Sequence, residues 1–423
     1  MKNILLLFLI FSSTITSFAQ LPGSAKYDNE VYVSGIESIK LRVLGTDFGQ
    51  PIIRLGSSEL LKLDFDDLEQ ESRYLKYTII HCTHDWKKSD LNPLDYLDGF
   101  MEDEISNYSY SFNTIQHYMH YELDFPNDNI KPTKSGNYIL YVYDGDMSNP
   151  VMTRRFMIVE DQQVGIAGSV RAASDVRYMF TKQEIDFVVQ PGSYNIRNPK
   201  MYLHATIMQN GRWDNAIVGL TYRSGPPTEL SFDYDNNENV MNGGAEFRVF
   251  DFRSLRYNGN RVLSITFDNH INHVYLVADI ARPFGAYESN ATLNGRCFFK
   301  NEDFSGTNTE DYAFVHFALR TDFPVSDGNL YVFGELTDWQ IKEDAKLMLN
   351  PATNFWETAL YLKQGYYNYQ YVYVKNGTNT IDETYIEGNN WQTQNDYTVL
   401  IYFQDEGTLY DKLVGFSFLK ITQ

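Results

Sequence analysis

The stretch GYYNYQYVYV (365–374) has a tyrosine at every second position and indicates how the chain folds. Alternate side chains of a β-strand point to the same face, so the pattern predicts a strand with one tyrosine face: Tyr367, Tyr369, Tyr371 and Tyr373. Such a row either fills a core or offers flat rings to a ligand such as a sugar. Because inward rows are the rule in two-sheet sandwiches, we expect core packing, near a sheet end where the hydroxyls reach water or carbonyl oxygens.

Similar alternation of apolar and polar residues runs through the whole chain. The segments that show it best are RYLKYTIIHC (73–82), GNYILYVYDG (136–145), TRRFMIVE (153–160), QEIDFVVQ (183–190) and YAFVHFALR (312–320). Turn residues close each segment, and no long window has helical periodicity. The sequence therefore predicts an all-β protein built of tandem immunoglobulin-like or early-set β-sandwiches with little helix.

Polar stretches divide this pattern into three units. MIVEDQQ (157–163) ends one run of strands, and FFKNEDFSGTNTEDY (298–312) separates two further runs. We therefore predict sandwiches at 20–160, 161–300 and 301–423. A chain of this length suits two to four domains of roughly 100–200 residues each.

The N-terminus predicts export. One basic residue, Lys2, precedes an apolar run from Ile4 to Phe11 and a segment that ends in Ala19, which is typical of a signal peptide covering residues 1–19. Gln20 follows where a lipid-anchored protein would have cysteine, so we expect an exported, soluble protein. The net charge of −20 disfavours nucleic acid and anionic membranes as partners, which leaves proteins or neutral glycans.

The two cysteines, Cys82 and Cys297, lie far apart in the sequence. Exported proteins can form disulfides, but a chain able to bury large cores does not need one. Because unpaired cysteine is among the most often buried residues, we predict two buried free thiols.

No pattern predicts a metal site or a cofactor. The histidine pairs His81/His84, His117/His120 and His270/His273 are three residues apart in strand-like sequence, where their side chains would point to opposite faces. DYDNNEN (233–239) resembles a calcium loop in its alternating Asp233, Asp235 and Asn237, but it lacks the glycine and the final glutamate of that loop. We interpret it as a solvated turn.

Catalytic motifs are equally lacking in the sequence. It contains no nucleophile elbow, phosphate-binding loop, dinucleotide fingerprint or HExxH pair. Carboxylate pairs such as Asp66/Asp67 are expected by chance in so acidic a chain. We therefore predict that the protein is not an enzyme; an enzyme of unknown type is the least favoured hypothesis, since it would need a cleft with perturbed carboxylates.

Aromatic residues are concentrated in the span 84–126. They include Trp86, Tyr96, Phe100, Tyr108, Tyr110, Phe112, Tyr118 and Tyr121. Core packing accounts for about half, and exposed aromatic residues are frequent anchors of protein interfaces. The candidate partner-binding residues, in what we expect to be a mostly loop-like segment, are Trp86, Tyr96, Phe100, Tyr108 and Tyr110.

The C-terminal unit resembles the early-set sandwiches of glycogen-binding and starch-binding modules. The resemblance is in YVFGELTDWQ (331–340) and LMLNPATNFWETALYLKQGYYNYQYVYV (347–374). It implies that Trp339 and the alternating aromatic residues build a core, whereas separate tryptophans would contact sugar. The alternative function is thus glycan binding, and it would be favoured if Trp339, Trp356 and Trp391 formed an exposed coplanar set.

At larger scale the chain resembles the type IX secretion system plug proteins of Bacteroidota. The matching segments occur in family order and include HCTHDW (81–86), SDLNPLDYLDGF (89–100), QNGRWDNAI (209–217), EFRVFDFRSLRYNGNRV (246–262) and YDKLVGF (410–416). The resemblance implies a periplasmic protein that docks on the inner mouth of the large outer-membrane translocon barrel and occludes the idle pore. It implies neither catalytic residues nor a cofactor, and no direct insertion into the membrane.

Overall fold

The computed structural model describes Leu21 and residues 25–69 and 73–421. It is 47% strand and 5% helix, and none of its helices reaches seven residues, which confirms the predicted all-β class. In the described part of the chain, no helix has the length and apolarity needed to cross a membrane. The predicted signal peptide, residues 1–19, lies outside the described residues.

The described residues of the first part of the chain form twelve strands and one helical turn. The strands are β1 (Glu30–Val31), β2 (Ile36–Val43), β3 (Ile52–Arg54), β4 (Leu61–Asp67), β5 (Leu75–Cys82), β6 (Leu97–Gly99), β7 (Asp103–Glu104), β8 (Asn107–Tyr110), β9 (Met119–Phe125), β10 (Ile130–Pro132), β11 (Gly136–Asp144) and β12 (Pro150–Val159). The turn α1 (Pro93–Tyr96) precedes β6, and Pro93 suits its first position because a helix leaves that N–H unbonded. The sheet β2-β4-β9-β8 faces β5, β11 and β12 across the first core.

The second part forms six strands and the turn α2 (Pro199–Tyr202). The strands are β13 (Gly165–Ala172), β14 (Lys182–Gln190), β15 (Leu203–Gln209), β16 (Ile217–Thr221), β17 (Leu230–Phe232) and β18 (Val240–Asn242). β13, β17 and β18 pair with β14, whereas β15 and β16 belong to a different sheet.

The third part contains eleven strands, the turn α3 (Thr384–Glu387) and two 3-10 turns, Glu335–Thr337 and Glu343–Ala345. The strands are β19 (Arg248–Asp251), β20 (Val262–Asp268), β21 (Ile271–Leu276), β22 (Asp279–Ile280), β23 (Cys297–Phe299), β24 (Tyr312–Arg320), β25 (Gly328–Phe333), β26 (Met348–Asn350), β27 (Phe355–Lys363), β28 (Gly365–Lys375) and β29 (Ile381–Asp382). The sheet β20-β21-β24-β27-β26 packs on the sheet centred on β28.

The last two strands, β30 (Asp396–Phe403) and β31 (Lys412–Lys420), return to the second part. β30 pairs with β15 and β31, and side chains of both strands share a core with β13 and β14. The predicted boundaries at 160/161 and 300/301 stay a prediction, but the buried side chains group differently. One core uses residues 36–158, a second uses 164–241 with 397–419, and a third uses 250–386, inserted into the second. We call these units the first, second and inserted sandwiches.

A ten-stranded sheet joins the first and second sandwiches. It runs β16-β15-β30-β31-β12-β11-β5-β7, with β1 and β3 added to β12, and the step between the two sandwiches is the parallel pairing of Val159 with Leu413. A fourth cluster of buried side chains covers the other face of this sheet and includes Trp86, Tyr141 and Tyr402. The two sandwiches therefore share backbone hydrogen bonds as well as side-chain contacts.

Buried charges join the inserted sandwich to the first one. The Asp66 carboxylate is fully buried and accepts hydrogen bonds from the Lys363 ammonium at 2.6 Å and the Tyr312 hydroxyl at 2.7 Å. Burial alone would raise the pKa of Asp66, but Lys363 and His120 outweigh it and lower that pKa. Because removing one partner of such a pair leaves an uncompensated buried charge, the contact resists separation.

Candidate partner-binding surface

The tyrosine row of β28 lies inside the inserted sandwich. Tyr367, Tyr369 and Tyr371 are buried, which confirms core packing, and Tyr373 is half-buried. The expected position near a sheet end is wrong, because β28 pairs with other strands along both edges. The hydroxyls of Tyr369 and Tyr371 instead donate to one buried carboxylate, Asp279, at 2.6 and 2.9 Å.

Asp279 is itself part of a buried charge network. Its other oxygen accepts hydrogen bonds from Arg248 at 2.8 Å and Arg261 at 2.7 Å, and Arg248 also pairs with the buried Glu387. Sequence analysis missed this network because its members are far apart in the chain and follow no motif. It explains how phenol groups can fill a core without unsatisfied hydroxyls.

The three tryptophans proposed as a test of glycan binding form no shared platform. Trp339 packs against Phe333 and lies 4.4 Å from the buried Arg212 guanidinium, whereas Trp356 packs on the core of the inserted sandwich. Trp391 is half-buried, and its backbone donates to Phe180 at 3.2 Å. Neither these rings nor the buried tyrosine row offers a flat sugar-binding surface.

Histidines of the three sequence pairs each contact a different neighbouring group in the fold. His81 is buried with its Nε2 3.0 Å from the Ser135 carbonyl, and burial lowers the pKa of His81 to about 4. His84 contacts Asp411 at 2.9 Å, and His120 contacts Asp66 at 2.7 Å. His273 lies 2.9 Å from His316.

One acidic cluster and the two cysteines are the other candidate reactive groups among the described residues. Among the described residues, a single group of three possible metal ligands is found, Glu184, Asp186 and Asp233, and the Arg171 guanidinium already pairs with two of them. Asp235 of the calcium-like segment is not a member of that group. Cys82 and Cys297 are buried free thiols, as predicted, and burial raises the pKa of Cys297 to about 12.

The aromatic span 84–126 contributes to both core and surface. Trp86, Tyr96, Tyr118, Tyr121 and Phe125 are buried, and the exposed members are Phe100, Tyr108, Tyr110 and Phe112. The span is also less loop-like than expected, since it contains α1 and the strands β6 to β9. The prediction that core packing accounts for about half of these rings agrees with this division.

Trp86 and Tyr96 are held inside the molecule. Trp86 is 5% exposed, stacks edge-on against Trp213 at 4.8 Å and lies beneath the Arg155 guanidinium at 4.5 Å. Tyr96 is 2% exposed and donates to the Ile79 carbonyl at 3.3 Å. In this conformation neither ring can contact a partner, so the candidates that remain available are Phe100, Tyr108 and Tyr110.

We call Phe100, Tyr108, Tyr110 and Phe112 the aromatic edge. Their exposed fractions are 63, 50, 65 and 71%. Tyr108 and Tyr110 lie on β8, the outer strand of the sheet β2-β4-β9-β8, and Phe112 follows that strand directly. Four large rings exposed within 13 residues of sequence are the densest such group in the first sandwich, and they are typical of a protein interface.

The inserted sandwich holds the segment after β8 in place. The buried Asp311 carboxylate accepts the backbone N–H groups of Ile115 at 2.7 Å and Gln116 at 3.0 Å. Asn308 accepts the Phe112 N–H at 2.9 Å and donates to the Ser109 hydroxyl at 2.6 Å. The aromatic edge is therefore supported by two sandwiches, which reduces the conformational entropy lost when a partner binds.

Comparison with known proteins gives the chain a family. The model for the first domain of type 9 secretion system plug proteins matches residues 36–160. The crystal structure of a hypothetical protein from Parabacteroides merdae covers 94% of this chain and 100% of its own, with 33% identity and a TM-score of 0.88. The ectodomain of a teleost fish polymeric Ig receptor covers 45% of this chain and 83% of its own, but 14% identity and a TM-score of 0.14 support no argument. No curated protein matches.

Fold and surface together define an all-β protein of interlocked sandwiches with an exposed aromatic edge. The chain belongs to the type 9 secretion system plug protein family. Membership gives it a role in type IX secretion, associates it with a component of that system and indicates a periplasmic location near the outer membrane.

Proposed function

We propose that the protein is a non-catalytic periplasmic plug. It docks on the periplasmic mouth of the outer-membrane translocon barrel of the type IX system and occludes the pore while no cargo passes. The family match over residues 36–160 is the observation on which this proposal chiefly rests. A pore wide enough for folded cargo would leak when idle, and steric occlusion needs no reaction.

The joining of the three sandwiches supports occlusion by shape. The first and second share a ten-stranded sheet, and the first and inserted sandwiches share the buried Asp66–Lys363 ion pair. A second ion pair, between Lys40 and Glu335 at 2.5 Å, crosses the same boundary. These contacts fix the positions of the sandwiches relative to one another, whereas domains joined only by flexible linkers would move independently.

Docking must be reversible, because cargo has to pass. Reversible interfaces have a polar rim and a few aromatic anchors, whereas obligate ones resemble a domain core. The segment that carries the aromatic edge has this composition, since Glu102, Asp103 and Glu104 lie between Phe100 and Tyr108 in the sequence. We therefore propose Phe100, Tyr108 and Tyr110 as anchors for the barrel.

Affinity purification of the tagged full-length protein from outer membranes tests the docking. We expect the translocon barrel to co-purify with the wild-type protein and to be lost from the variant Phe100→Ser/Tyr110→Ser. The matched control is Leu263→Ser/Tyr275→Ser, which removes two exposed side chains from the inserted sandwich. Absence of the barrel from the wild-type sample contradicts docking; equal capture by all three proteins excludes the aromatic edge as the contact.

A further inference from the structure

The core of the first sandwich is open along β8. In the β8–β9 register, Tyr108 lies opposite Tyr121 and Tyr110 lies opposite Met119, and both partners point into the first core. Tyr108 and Tyr110 therefore belong to the inner face of their sheet. The facing sheet ends at β5 and the two-residue β7, so it does not cover them, and they stay 50 and 65% exposed.

The backbone at this opening is that of a sheet edge. β8 pairs with β9 alone, and within residues 73–421 no backbone hydrogen bond outside that pair involves Asn107–Tyr110. β8 begins at Asn107, opposite Glu122, whereas β9 continues to Phe125, so the last three residues of β9 extend past the start of β8. An edge strand with free N–H and C=O groups is a template for pairing with another strand.

Carboxylates surround the end of this edge. A cavity of about 560 Å³ lies at the start of β8, between residues 102–107 and 122–124. One ammonium lines it, from Lys76, against five carboxylates: Glu102, Asp103, Glu104, Glu122 and Asp124. Lys76 pairs with Glu102 and Lys62 pairs with Glu122, whereas Asp124 is exposed with no ion pair in the described part of the chain.

We infer that β8 accepts an extended partner segment of alternating apolar and basic residues by strand addition. Side chains two apart on the added strand lie on the same face. The apolar set would cover Tyr108 and Tyr110 on the inner face, while basic residues reach the carboxylates at the start of β8. Main-chain hydrogen bonds supply affinity in such complexes, and the side-chain contacts supply selectivity.

This inference rests on the proposed docking function for the source of the strand, a periplasm-facing segment of the translocon barrel. Strand pairing also suits a reversible contact. It uses backbone groups that are already aligned, and charge attraction in the acidic cavity accelerates encounter without requiring a large buried area.

Peptide binding to the full-length protein tests strand addition directly. The probe is a fluorescent eight-residue peptide of alternating valine and lysine with blocked ends, followed by anisotropy. One control peptide carries N-methyl groups on alternate residues, which remove backbone donors and keep the charge. We expect saturable binding of the probe and affinity at least about tenfold lower for the methylated peptide. Equal affinity of the two peptides overturns strand addition and leaves charge attraction alone.

Protein variants locate the site. Tyr108→Ser/Tyr110→Ser and Asp124→Lys should each lower the affinity for the probe peptide about tenfold. Asp235→Lys makes the same charge change at an exposed position in the second sandwich and should alter affinity less than about twofold. Equal weakening by the two aspartate variants overturns the assignment to β8.

Capture of the barrel by Asp124→Lys separates this inference from the proposed function. Loss of the barrel with Asp124→Lys but not with Asp235→Lys supports strand addition as the docking mode. If both variants capture the barrel as the wild type does, docking stands and the strand-addition inference fails. If the wild-type protein captures no barrel, the proposed function fails, whereas the peptide result still decides whether β8 accepts a strand.

Discussion

Two strands of this protein have alternating tyrosines and opposite environments. In β28 the row around Tyr369 is buried and its hydroxyls bond to Asp279, whereas in β8 Tyr108 and Tyr110 remain exposed. Both rows point to the inner face of a sandwich. The difference lies in the neighbours: β28 pairs along both edges and has a facing sheet, while β8 pairs along one edge and the facing sheet stops short of it. Alternation thus defines a face, and only tertiary structure decides whether that face is covered.

Truncating one tyrosine in each strand should give the largest difference in stability between β28 and β8. Tyr369→Ala leaves a large cavity and removes a donor to Asp279, so it should lower the free energy of unfolding by about 3–5 kcal/mol. Tyr110→Ala removes an exposed ring and should change it by less than about 0.5 kcal/mol. Scanning calorimetry of the two variants measures both effects. Equal loss of stability would mean that β8 is covered in solution.

Acid should affect the core beside β8 before the core that contains β28. Burial lowers the pKa of His81, in the first sandwich, from about 6.5 to about 4, so the unfolded chain binds this proton at higher pH than the folded chain. Its contribution is complete above about pH 6.5 and is lost as the pH falls towards 4, at a cost of up to about 3 kcal/mol. Hydrogen exchange resolved by segment should show β5 and β11 losing protection first.

A histidine variant isolates that effect. His81→Phe should flatten the pH dependence of unfolding between about pH 6.5 and 4, whereas the exposed His270→Asn should leave it as in the wild type. A slope unchanged in His81→Phe would assign the acid sensitivity to other groups, such as the Asp66 cluster at the boundary with the inserted sandwich.

Removing only the hydroxyl gives the smallest expected difference between the two strands. Tyr369→Phe loses a charge-assisted hydrogen bond to Asp279 and should cost about 1.5–3 kcal/mol. Tyr110→Phe should leave stability unchanged, because no buried group depends on its hydroxyl. Thermal unfolding of the pair checks this, and a neutral Tyr369→Phe would show that Tyr371 and the two arginines satisfy Asp279 without the Tyr369 hydroxyl.

Much of the fold could be predicted from the sequence, because strand periodicity is local. The segments 136–145 and 312–320 correspond closely to β11 and β24. The pairing of β30 with β15 could not be predicted, since an alternating apolar and polar sequence does not determine which strand it pairs with. The loop-like sequence around Trp86 and Tyr96 predicts partner-binding residues, yet contacts with Trp213 and Ile79, which only the fold brings near, bury both rings. Asp279 was missed for the same reason: its partners converge only in the folded chain.

The permeability of the cell envelope shows directly whether the protein occludes an idle pore. Deleting the gene should increase uptake of a large hydrophilic fluorescent dye in cells that retain the translocon barrel. The wild-type gene should restore the barrier, the Phe100→Ser/Tyr110→Ser variant should not, and Leu263→Ser/Tyr275→Ser should restore it as the wild type does. If the envelope stays equally impermeable after deletion and cargo export is unchanged, the protein does not occlude the pore.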